Sequence, residues 1–114
     1  MRSNDWWRGT ATHMWRTYFA LQRDGFSWEK LTLPDQKIYA VCHHLFLSKF
    51  VTTDQNILKF YFTSRWGDDI YAVEDYSAKN NIPVRVIWMV IRRANRMVME
   101  EVGLLARKED EQDE

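Results

Sequence analysis

Cysteine is almost missing from this chain. Cys42 stands alone, so no internal disulfide can form and a reducing, cytoplasmic setting is the expectation. Two prolines and four glycines in 114 residues leave few breaks, which favours long helices over a turn-rich β fold. No run approaches the ~20 apolar residues of a membrane span. The opening MRSNDWWRGT lacks the apolar stretch of a secretory signal. There is no Gly-rich phosphate loop and no nucleophile elbow, nor any cysteine–histidine spacing suited to a catalytic thiol. The chain is therefore expected to be neither an enzyme nor the holder of a cofactor or metal.

What is present is aromatic and balanced in charge. Six Trp, five Tyr and six Phe supply large apolar area for a core. A chain of this length can bury roughly two-thirds of its unfolded surface without a staple. The net charge is zero, yet residues 107–114 hold two basic and five acidic side chains and nothing apolar. Residues 1–106 keep fourteen basic and eleven acidic side chains. The expectation is one mildly basic folded domain over 1–106 and a disordered, solvating acidic tail over 107–114, which can compete with phosphate for basic side chains.

Apolar spacing predicts an all-α fold, a compact bundle of about five helices. Ser3, Asn4 and Asp5 are N-cap types, and Trp7, Ala11, Met14, Trp15 and Tyr18 follow at helical intervals, giving a helix over about 4–23 that stops near Gly25. Phe26, Trp28 and Leu31 suggest a short helical turn. Pro34 suits a first helical position, and Ile38, Val41, Cys42, Leu45 and Phe46 line a helix over 34–49. Thr52 and Gln55 have capping-box spacing ahead of Ile57, Leu58, Tyr61 and Phe62, a helix over 53–65 ended by Gly67. Asp68 or Asp69 can cap a fourth helix carrying Val73, Tyr76 and Ser77. A long last helix begins at Ile82–Pro83 and runs to about 102, with Ile87, Ile91, Ala94, Val98, Val102 and Leu105 inward and Gly103 at its C-cap. Residues 84–91 are rich in β-branched side chains and read alone as a buried strand. Their unbroken continuation into a helical pattern favours helix.

The last two helices are laid out as a helix-turn-helix over about 69–92. That motif needs a small residue where the helices cross, a residue tolerant of the left-handed backbone in the turn, and apolar residues locking the pair. Ser77, Asn81 and Ile82 take the turn and crossing positions, and Ile87 and Val90 the apolar ones. Asn81 stands where glycine is commoner, and Asn80 where an apolar residue is usual. Val84, Arg85, Trp88, Met89 and Arg92 then project outward. Arg85 suits a guanine edge or a phosphate, with Trp88 and Met89 facing the groove. Arg92, Arg93 and Arg96 suit backbone phosphates. No acidic residue interrupts positions 84–99, although a charge run on a helix is ordinarily its solvated face.

Residues 54–105 resemble the C-terminal part of small phage-encoded transcription regulators, the RinA- and ArpU-type late-gene activators, and sigma region-4-like modules. The likeness lies in the opening D-Q-N-I-L-K-F-Y-F, the turn from Ser77 to Asn81–Ile82–Pro83, and the arginine- and alanine-containing last helix ending in Gly-Leu. Pro83 replaces the usual Ser or Thr, and residues 1–50 match no family. The resemblance implies double-stranded DNA as partner and transcriptional regulation in a host-cell cytoplasm. A homodimer and contact with RNA polymerase or another host protein are further expectations. A DNA-packaging role like that of small terminase subunits is an alternative. The rival class is a phage-encoded protein-binding module, an inhibitor or adaptor of a host protein, whose surface would be the apolar trio Val84, Trp88 and Met89.

Three other clusters invite chemistry and are better explained otherwise. Cys42–His43–His44 are consecutive, so on a helix they point about 100° apart and cannot easily share an ion. Asp68–Asp69 and Glu74–Asp75 suit a helix start, and Glu100–Glu101, near a helix end, suit Arg96 or Arg93 about one turn away. Trp6, Trp7, Arg2 and Arg8 could stack single-stranded bases, but anchoring the first helix explains them more simply.

Overall fold

A computed structural model describes residues 7–64 and 69–105. These form five helices and no strand: α1 (Trp7–Asp24), α2 (Leu33–Lys49), α3 (Thr52–Thr63), α4 (Asp69–Asn80) and α5 (Val84–Glu101). A 3-10 turn at Trp28–Lys30 bridges α1 and α2. The expected all-α bundle is thus the observed one, and residues 84–91 are helix. No helix among the described residues is long and apolar enough to cross a membrane. The expected caps at Ser3, Asn4, Asp5 and Asp68, the stop at Gly67 and the acidic tail lie outside the described residues.

Each helix ends where its backbone groups find another partner. Gly25 closes α1 with φ of 77°, its N–H donating to the Leu21 carbonyl at 3.0 Å. Thr32 caps α2, its hydroxyl accepting from the Asp35 N–H at 3.2 Å. That helix begins at Leu33, so Pro34 occupies its second position rather than the first, where a missing N–H is equally harmless. Gly103, with φ of 83°, ends α5 as expected. The Leu104 N–H reaches back to the Met99 carbonyl at 2.9 Å, the six-to-one bond of a Schellman cap.

The capping box expected at Thr52 and Gln55 does not form. Thr52 is already helical and Val51 is the cap residue. The Gln55 amide instead donates to the carbonyls of Phe46 and Phe50, at 2.9 and 3.0 Å. These lie at the end of α2 and in its tight link to α3, where carbonyls lack helical donors.

The core is built around Trp15. Its ring is fully buried, stacked on Phe62 at 5.9 Å and on Phe19 at 6.1 Å. Its indole N–H donates to the Ala94 carbonyl at 3.0 Å, which fastens α1 to α5 while satisfying a polar atom that burial would otherwise penalise. Ile57, Leu58, Ile87, Val98 and Met99 complete the centre. α5 packs against all four other helices and is the axis of the bundle. α4 sits on the outside: of its described side chains only Val73 is buried, and Tyr76 stacks on Phe60 of α3 at 4.3 Å.

Candidate nucleic-acid interface

The turn between α4 and α5 is made by the residues the sequence singles out. Asn81 has φ of 57°, the left-handed region that asparagine tolerates better than most side chains. The Ile82 N–H donates to the Ser77 carbonyl at 3.1 Å, again a Schellman closure. The Ser77 hydroxyl donates forward to the Ile82 carbonyl. One serine therefore binds both main-chain groups of Ile82, a task beyond its expected role as a small residue at a helix crossing. Asn80, placed where an apolar residue is usual, donates from Nδ2 to the Tyr76 carbonyl at 3.0 Å and so secures the last turn of α4. Ile82 is half-buried against the core, while Ile87 and Val90 are buried.

Pro83, rather than Ile82, opens the last helix, as the cap residue of α5. Its carbonyl accepts from the Val86 and Ile87 N–H groups, at 3.0 and 3.2 Å. Among the described residues no side chain caps this end, and its first turn has no acid. The leading N–H groups of α5 are thus left with the positive end of the helix dipole and no side-chain acceptor.

From this end a strip of side chains runs along α5. Arg85, Met89, Arg92 and Arg96 recur at steps of four, three and four residues, which places them on one face. Arg85, Met89, Arg92 and Arg93 are exposed and Arg96 is half-buried. Arg85 and Arg92 make no ion pair or hydrogen bond among the described residues. Arg93 is committed elsewhere. Its guanidinium donates to the Lys49 carbonyl at 2.9 Å, pairs with Asp54 at 3.5 Å and lies over the Phe50 ring at 4.9 Å. Arg96 pairs with Glu100 at 2.9 Å. Of the four arginines expected to meet DNA, two have no partner among the described residues and two also bind the protein itself.

Trp88 does not project into solvent as expected of a groove-facing side chain. It is half-buried, its ring edge against Tyr61 of α3 at 5.7 Å. One step after the buried Ile87, it falls at the border between the inner and outer faces, and a large aromatic there gains more by packing than by standing in water. Val84 is half-buried too. The apolar trio that would form a protein-binding face is reduced to Met89, 57% exposed and flanked one turn away by Arg85, Arg92 and Arg93.

The remaining clusters separate. Cys42 is buried and His44 exposed. The Tyr18 hydroxyl lies 2.8 Å from His43 Nδ1 and accepts from Gln22 Nε2 at 3.1 Å. Burial, and after it Tyr39 and Cys42, push the Tyr18 phenol above its ordinary range. Burial likewise pushes the Cys42 thiol up, the opposite of an activated nucleophile. Among the described residues no three of His, Cys, Asp and Glu gather into a metal-sized group. Trp7 is half-buried against the core with Arg8 over its ring at 5.9 Å, while Trp6 and Arg2 lie outside the described residues. The Tyr18–Gln22–His43 network and the anchoring of Arg93 carry no local sequence signal. Their partners are 25 and 44 residues apart. Compared with protein-family models, curated proteins and solved structures, the chain finds no match.

Proposed function

We propose that the protein is a helix-turn-helix DNA-binding protein whose α5 enters the major groove N-terminus first. The observation that carries this reading is the arginine strip of α5. Arg85 stands one residue past a helix start that no described side chain caps and Arg92 about two turns on, on an outer face without a carboxylate before Glu100. Arg85 reads a base edge, and Arg92 neutralises a backbone phosphate. Arg93 and Arg96 stand on the same helix, their charges partly neutralised by Asp54 and Glu100. Met89 offers the apolar contact that suits a thymine methyl. The protein acts as a binder and not as a catalyst.

The finer reading is a phage or phage-derived transcriptional regulator, working in the host cytoplasm as a homodimer beside RNA polymerase or another host protein. It follows the resemblance of residues 54–105 to late-gene activators. A packaging protein would use the same face. Selection of bound duplexes from a random pool tests the assignment. Wild-type protein enriches a defined site, and Arg85→Ala loses preference at one or two of its positions. Identical, featureless pools from both proteins would remove α5 from base recognition.

A further inference from the structure

A cleft of about 620 Å³ opens between the C-terminal half of α1, α2 and α3, away from the arginine strip. That volume lies within the roughly 300–1,000 Å³ of small-molecule sites. Its floor and one wall are aromatic. Phe19 is buried, and Tyr39 meets Phe26 edge-on at 4.8 Å. Tyr39 is held in place by His43, stacked on it at 5.2 Å. Phe26, expected only to pack a connection, is 39% exposed on this cleft. Phe26 and the half-buried Tyr39 thus offer ring surface to a flat π-system, over a floor at Phe19 that is itself stacked in the core.

The charged groups on the lining have one sign. Arg23 comes from the last turn of α1 and Lys59 from α3, and among the described residues no carboxylate lines the cleft. Arg23 is bonded through Nε and Nη2 to Asp24, at 2.9 and 3.3 Å, which neutralises part of its charge. Lys59 is exposed and has no ion-pair partner among the described residues. Polar atoms of Gln22 and Thr63 complete the rim.

We propose that this cleft is a binding site for a planar aromatic carboxylate, its ring against Phe19, Phe26 and Tyr39 and its anion at Lys59, with Arg23 as the second cation. This site does not rest on the DNA reading. The test uses three probes of one shape, 2-naphthoate, 2-naphthylmethanol and 2-naphthylmethylammonium, titrated into the full chain and followed by amide chemical shifts. Naphthoate produces saturable shifts confined to the end of α1, Tyr39 and Lys59–Thr63. The neutral alcohol binds about threefold more weakly, the scale of one exposed ion pair, and the ammonium probe more weakly still. Lys59→Met, a change at an exposed position, brings naphthoate down to the affinity of the alcohol and leaves the alcohol unchanged. Equal affinity for all three probes, shifts outside the cleft or no saturation would each overturn the proposal.

Discussion

Arg92 and Arg93 are neighbours in sequence with different surroundings. Arg93 joins α5 to the α2–α3 corner through a carbonyl, a carboxylate and a ring face. Its side chain is 48% exposed, so water screens the pair, and Arg93→Ala is expected to lower stability by about 1–2 kcal/mol in urea denaturation. Arg92→Ala, with no partner to lose among the described residues, leaves stability within about 0.5 kcal/mol. It instead weakens binding to all duplexes alike and reduces the salt slope by about one. Equal stability losses for the two variants would contradict this division.

At the scale of elements, the α4–α5 turn is held by Asn81, Ser77 and Asn80. A β-branched side chain resists the left-handed conformation, so Asn81→Val should cost about 1–2 kcal/mol while Asn81→Gly costs nothing. Ser77→Ala, which removes the hydroxyl that donates to the Ile82 carbonyl, should cost about 1 kcal/mol. Thermal melts of the three variants check that order. These residues were legible in the sequence because turns and caps are local. Apolar spacing likewise marked Ala11, Trp15, Ile57, Ile87 and Val98 as core, since each lies on a stripe of its own helix. What stayed hidden depends on contacts between helices. Gln55 has the spacing of a cap for α3, but the carbonyls at the end of α2 claim it. Trp88 sits on the border of its helix and is turned inward by Tyr61. Asn95 is polar and so no part of the apolar stripe of α5, yet it is buried against α1, its Nδ2 3.5 Å from the Thr12 hydroxyl.

For the whole molecule, the buried Cys42 and Tyr18 should make stability depend on pH on the alkaline side. The fold raises the proton affinity of the Cys42 thiol and the Tyr18 phenol, whose ordinary values are 9.0 and 10.0. Below pH ~9 both states are protonated and the contribution is complete. As pH rises through those values the unfolded chain releases protons that the native chain keeps, so stability falls. The expected slope is about 1–2 kcal/mol per pH unit between pH ~9 and 11, shallower in Tyr18→Phe. A flat profile in urea denaturation would mean that these groups ionise as freely in the fold as outside it.

The claim that α5 carries a DNA-binding face is tested most directly by fluorescence anisotropy of a labelled random duplex with the purified full chain at low and moderate salt. Binding at low salt that weakens steeply as salt rises is the expected result, with a weaker dependence in Arg92→Ala. Folded protein that leaves the duplex unbound at low salt would contradict it.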